Sequence, residues 1–119
     1  MNTFFYLKTC STCKRILEEL NLPSSITLQD IKSEAITSDQ LDKMKVLAGS
    51  YEALFSRRAQ LYKSEGLKDK NLQEADYKNY ILKHYTFLKR PVLVISDQIF
   101  IGNSAKTVAE AQSFINANE

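Results

Sequence analysis

The sequence has no tryptophan, a single histidine (His84), two cysteines, two prolines and three glycines in 119 residues. A closed zinc site takes four Cys or His ligands, so this supply is too small and no metal centre is expected. No repeat, low-complexity tract or interdomain linker is visible. Long apolar runs are missing too. Near the start the longest is Phe4-Phe5-Tyr6-Leu7, closed by Lys8, shorter than a signal-peptide core and far shorter than a membrane span. The expectation is a soluble, cytoplasmic protein that makes no contact with a membrane. Charge of one sign is also scarce. The formal net charge is +2, too mild to imply direct nucleic-acid binding, and the cations Lys8, Lys14, Arg15, Arg57, Arg58, Lys89 and Arg90 suit a small anion better.

What is present is an ordinary globular composition, 44% hydrophobic and 25% charged. A chain of this length holds one core rather than two, so a single domain over residues 1–119 is expected. The β-branched and aromatic run from Thr3 to Leu7 reads as a short buried strand, with Thr9 as the cap of the helix that follows. Ile16, Leu17 and Leu20 recur at helical spacing until Asn21-Leu22-Pro23 stops that helix. Ile26 and Leu28 then alternate with Ser25, Thr27 and Gln29, the pattern of a half-buried strand with Ile26 and Leu28 inward. Strand, helix, strand makes a βαβ unit.

From about 33 to 86 the period turns helical, which marks an insertion. Thr37 and Gln40 read as a capping box before Leu41, Met44 and Leu47, and Gly49 ends that helix. A shorter helix is expected over Tyr51–Phe55, followed by Ser56-Arg57-Arg58 and a polar break around Lys63–Gly66. Another runs from about Leu72 or Glu74 to His84, with Tyr77, Tyr80, Ile81 and Tyr85 on a face that reads as core. Arg90-Pro91 opens the strand Val92–Ile95, which pairs through a turn at Ser96-Asp97-Gln98 with Ile99–Ile101. Val108, Ala109, Ala111 and Ile115 stripe a last helix. The order βαβ, helices, ββα predicts an α/β, thioredoxin-like mixed four-stranded sheet, with a cis Arg90–Pro91 bond facing the first strand-to-helix turn.

That turn carries Cys10-Ser11-Thr12-Cys13, which holds every cysteine of the chain. Unpaired N–H groups and the positive dipole end at a helix start favour a thiolate, so Cys10 is the candidate nucleophile and Cys13, one turn further in, the resolving thiol. Arg58 and Arg90 are the candidate anion binders, because a guanidinium fork matches a tetrahedral oxyanion and stabilises a nearby thiolate. Lys8 and Arg57 are secondary candidates. His84 reads as a partner for a helix C-terminus rather than a catalyst.

With the C-x-x-C, the helical insert, RRAQLY, KRPVLV and the Ile101-Gly102 pair in place, the chain resembles the arsenate reductase (ArsC)/Spx family of thioredoxin-like, glutaredoxin-like proteins along nearly its whole length. The resemblance implies that Cys10 is the nucleophile, that Arg58 is the arginine of the insert and that Arg90 is the arginine before the strand-opening Pro91. Arsenate reductases of this fold resemble one another in a further arginine where this chain has Asn103 and in a histidine where it has Tyr6. The C-x-x-C looks like that of Spx, and Lys8 is similar to a lysine two positions before the nucleophile in an ArsC-like branch of thiol-dependent reductases. The implied activity is a thiol-dependent oxidoreductase acting on a small oxyanion or disulfide, with no bound cofactor and with glutathione, glutaredoxin or thioredoxin as reductant. The alternative implied by the same resemblance is an Spx-like redox-switched regulator that binds the α subunit of RNA polymerase.

Overall fold

Strand β1 (Thr3–Tyr6) is buried along its whole length, and every other strand is arranged around it. The structure, a computed structural model, describes residues 1–118. Strand β2 (Thr27–Asp30) pairs with β1 in parallel, β3 (Val92–Ile95) pairs with β1 antiparallel, and β4 (Gln98–Ile101) closes a hairpin with β3. The four strands among the described residues form one mixed sheet in the order β2-β1-β3-β4, the thioredoxin-like plan that the sequence predicts. The hairpin register pairs Ile95 with Gln98, so only Ser96 and Asp97 turn the chain, and Ser96 adopts φ 55°. Its N–H is held at 2.8 Å by the Asn2 side chain.

The chain divides into two compact units, residues 1–34 with the described residues from Arg90 onward, and Ala35–Lys89. In the first unit, helix α1 (Ser11–Leu20) and the C-terminal helix, Ala105–Ala117, cover one face of the sheet. Phe4, Tyr6, Leu93 and Ile95 meet Cys13, Ile16 and Leu20 from α1 and Ala111 and Ile115 from the last helix there. Alternate residues Phe5, Val92 and Val94 are buried on the opposite face. The alternation in β2 differs from the expected one: Gln29 is buried and Leu28 is exposed, although Ile26 is buried as expected. Leu28 pairs with Phe4 on an edge strand, where the helices give no cover, and Gln29 satisfies its amide by donating to the Glu34 carbonyl at 3.2 Å. In the last helix Ala109 is exposed rather than part of the stripe, while Ala111 and Ile115 are buried.

The second unit is helical. Helix α2 (Ser38–Ala48) begins at the expected capping box, where Gln40 N–H donates to Thr37 Oγ1 and Thr37 N–H donates back to Gln40 Oε1, both at 3.1 Å. A 3₁₀ turn (Glu52–Leu54) occupies the place of the expected short helix. Helix α3 (Gln60–Ser64) has no counterpart in the sequence pattern, since it is a single short turn with no apolar period of its own. Helix α4 (Glu74–Lys83) follows, and the last helix of the first unit is α5. Phe55 is the hub of this unit: it stacks on Phe87 at 5.4 Å and 10° and meets Tyr77 edge-on at 4.9 Å. Of the tyrosine row, Tyr77 is buried in the core and Tyr80 packs against Phe55 and Phe87, whereas Tyr85 lies beyond α4, half-buried and stacked on His84 at 4.6 Å. His84 ends α4 and its Nδ1 accepts from the Thr86 N–H at 3.2 Å, so it caps the following turn.

Candidate active site

Four connecting residues, Leu7 to Cys10, carry the chain from β1 to α1, and their backbone bonds place the first cysteine. Cys10 N–H donates to the Leu7 carbonyl at 3.1 Å and the Cys10 carbonyl accepts the first bond of the helix, from Lys14, at 3.1 Å. Cys10 itself is thus the N-cap, with extended backbone (φ −92°, ψ 116°). The expected cap, Thr9, lies one residue outside the helix. A thiol is a poor capping acceptor compared with the hydroxyl of Ser or Thr, and Cys10 makes no cap bond of full geometry. Its sulfur nonetheless lies where the N–H dipoles of the first turn converge.

The electrostatics of the two thiols follow from this placement. Burial pushes the half-buried Cys10 upward, but the Cys13 N–H and side chain, the Thr12 N–H and the positive charge of Arg90 outweigh it and hold Cys10 below its ordinary 9.0. The sulfur lies outside ideal cap geometry, so the N–H contribution is that of oriented dipoles rather than of full hydrogen bonds. Cys13 is 1% exposed on the buried face of α1. Burial first, then hydrogen bonding to and charge on Cys10, push it up to about 11, against the opposing pull of the Leu7 backbone and Arg90. Both are free thiols.

Arg90 stands directly before β3, and the Arg90–Pro91 bond is cis. Its positive charge acts on both sulfurs and lowers them. Arg90 Nη1 is buried with no hydrogen-bond partner among the described residues. A buried N–H of a cation is seldom left unpaired, so this atom is suited to an acceptor anion brought by a substrate. Behind it, the Pro91 carbonyl accepts the Gly102 N–H at 2.9 Å. Gly102 has φ 94°, a left-handed conformation that glycine adopts without strain, and it leads into exposed Asn103.

The remaining candidates are placed differently. Lys8 is exposed, and its charge acts on Asp30. Tyr6 is buried against Phe4, ring centroids 5.4 Å apart. Arg58 lies in the second unit, exposed before α3, with no ion pair or hydrogen bond among the described residues. Its neighbour Arg57 is committed to structure: it pairs with Glu52 at 2.6 Å, donates to the Tyr77 hydroxyl at 3.0 Å and lies over the Tyr77 ring. Asp30 carries no local signal in the sequence that ties it to the cysteines. It accepts the Lys8 N–H from 22 residues away, a contact that only the pairing of β1 with β2 creates. No group of three or more His, Cys, Asp or Glu side chains among the described residues is placed to hold a metal ion. No helix of the described residues is long and apolar enough to cross a membrane.

Comparison with known proteins follows the same outline. The family model described as the ArsC family matches residues 5–111. An arsenate reductase from Vibrio cholerae is similar in structure, with TM-score 0.77 and 19% identity over 92% of this chain and 96% of that one. An arsenate reductase (ArsC) related protein from Brucella melitensis gives TM-score 0.68 at 23% identity over 92% of each chain. A Staphylococcus aureus protein solved in solution gives TM-score 0.72 at 25% identity, over 92% of this chain and 97% of that one. Among curated protein sequences no match is found. The structural likenesses carry the fold.

Proposed function

Because the chain belongs to the ArsC family, we propose that it is a thiol-dependent oxidoreductase in which Cys10 is the nucleophile, Cys13 the resolving thiol, and Arg90 the holder of substrate negative charge. The observation that carries this reading is the opposite displacement of the two thiols, both lowered by the charge of Arg90, whose buried Nη1 has no partner among the described residues. A nucleophile must be ionised near neutral pH, and a resolving thiol must stay protonated until its turn.

With a disulfide substrate, the Cys10 thiolate attacks one sulfur, a mixed disulfide forms and the other sulfur leaves as a thiolate. With an oxyanion, Cys10 displaces one oxygen as water and the central atom remains attached to sulfur. Burial is the largest influence keeping Cys13 protonated, but the hydrogen bond and charge of the Cys10 thiolate add to it. Adduct formation removes both additions while the Leu7 backbone and Arg90 still pull the other way, so Cys13 ionises more readily at the step that needs it. Its thiolate attacks the Cys10 sulfur, a Cys10–Cys13 disulfide forms and the substrate leaves with two electrons gained. Glutathione, glutaredoxin or thioredoxin then returns the disulfide to two thiols.

The test is a survey of arsenate, glutathione disulfide and small mixed disulfides as oxidants, followed through oxidation of a coupled thioredoxin or glutaredoxin system. Wild type should turn over at least one of them, Cys10→Ser none, and Cys13→Ser should accumulate a mixed disulfide on Cys10 visible by intact mass. Equal rates in wild type and Cys10→Ser would sink the proposal. Silence toward every oxidant, with redox-dependent capture of the RNA polymerase α subunit, would favour the Spx-like regulator.

A further inference from the structure

Asp30 ends β2 opposite Tyr6, the last residue of β1. Its carboxylate is anchored within its own turn, with Oδ1 accepting the Lys32 N–H at 3.4 Å and Oδ2 accepting the Ser33 hydroxyl at 3.1 Å. One further contact leaves that turn: Oδ1 accepts the Lys8 N–H at 3.2 Å. Lys8 lies between Leu7, whose carbonyl takes the Cys10 N–H and whose backbone lowers the Cys13 thiol, and the start of α1. The neighbouring Ile31 N–H donates to the Tyr6 carbonyl at 3.0 Å, so the end of β2 grips this connection at two successive places.

We propose that Asp30 is a positioning residue for the reactive cysteine: by holding the Lys8 N–H it sets the Leu7–Cys10 turn and so keeps the Cys10 sulfur at the N–H groups that open α1. The inference rests on the reading of Cys10 as nucleophile. Lys8 is exposed, so water can replace the carboxylate at its N–H. Loss of Asp30 therefore loosens the turn without leaving a buried polar group unpaired, which separates positioning from folding.

A charge effect and a positioning effect are separable by two substitutions. Asp30→Asn and Asp30→Ala both remove the negative charge, but only Asn keeps an oxygen for the Lys8 and Lys32 N–H groups, and the Ser33 hydroxyl can accept from the new amide. The readout is the pH profile of iodoacetamide alkylation at Cys10, assigned by fragmentation of the peptide, with Arg90, Cys13, Lys8 and Asp30 as the charges that bear on it. Below the midpoint, Asp30→Ala should react about tenfold more slowly than Asp30→Asn, equivalent to one unit in thiol ionisation. A purely structural role would lower the melting temperature and leave the profile of the folded protein in place. Overlapping profiles for the two variants, both as in wild type, would overturn the proposal. A wild-type midpoint at or above 9 would instead overturn the reading of Cys10 itself. Amide exchange in wild type tests the same contact without a variant: the Lys8 amide should exchange more slowly than that of Thr9, and equal rates would count against Asp30.

Discussion

The Cys10 and Cys13 thiols leave the same ordinary value of 9.0 in opposite directions, Cys10 downward and Cys13 up to about 11. One turn of helix separates a sulfur facing the N–H groups of α1 from one enclosed by Phe4, Tyr6 and Ile16. The low dielectric around the second opposes its charge, while the dipoles and Arg90 favour charge on the first.

This divergence gives stability a pH dependence of known sign. Cys13 binds its proton more tightly folded than unfolded, so its contribution is complete below pH 9 and is lost as pH rises toward 11. Cys10 acts oppositely, contributing above its unfolded value and losing that contribution as pH falls through its lowered folded one. Between pH 9 and 11, wild type should lose roughly 2 kcal/mol more than Cys13→Ala. Urea unfolding of both proteins at the two pH values checks this, and parallel losses would contradict it.

Arg90→Met should move Cys10 ionisation upward, because a positive charge that favours the thiolate is gone. It should also abolish protection of Cys10 by inorganic oxyanions against alkylation. Arg90→Lys keeps the charge and loses the fork, so it should preserve most of the ionisation and lose most of the anion protection. Alkylation rates with and without arsenate measure both. Unchanged protection in Arg90→Met would remove Arg90 from the site.

In the helical unit, Phe55→Ala should cost about 3 to 5 kcal/mol, as expected for truncating a fully buried aromatic. Phe55 is 0% exposed and meets Phe87, Tyr77, Tyr80 and Tyr62. Urea denaturation followed by tyrosine fluorescence reports the loss, and a change below about 1 kcal/mol would show that the ring cluster relaxes into the space.

Signals carried by a few neighbouring residues are legible in the chain itself. The Thr37–Gln40 box, the turn at Ser96-Asp97 and the C-x-x-C at a strand-to-helix turn depend on local backbone chemistry, which acts over three or four positions. Contacts between distant segments leave no such mark. Arg57 and Arg58 are adjacent and chemically identical, yet Glu52 and Tyr77 engage only the first. Leu28 and Gln29 exchange the places that hydrophobicity assigns them because β2 lies at the sheet edge.

The motif that concentrates both cysteines at one helix start is therefore written in residues 10–13, because helix initiation and thiol spacing are local. Which residue caps that helix and which thiol is enclosed come from strand pairing and packing. Asp30 shows the reason most directly: it lies 22 residues from Lys8 in sequence, and the parallel pairing of β1 with β2 alone brings its carboxylate to the turn that carries Cys10.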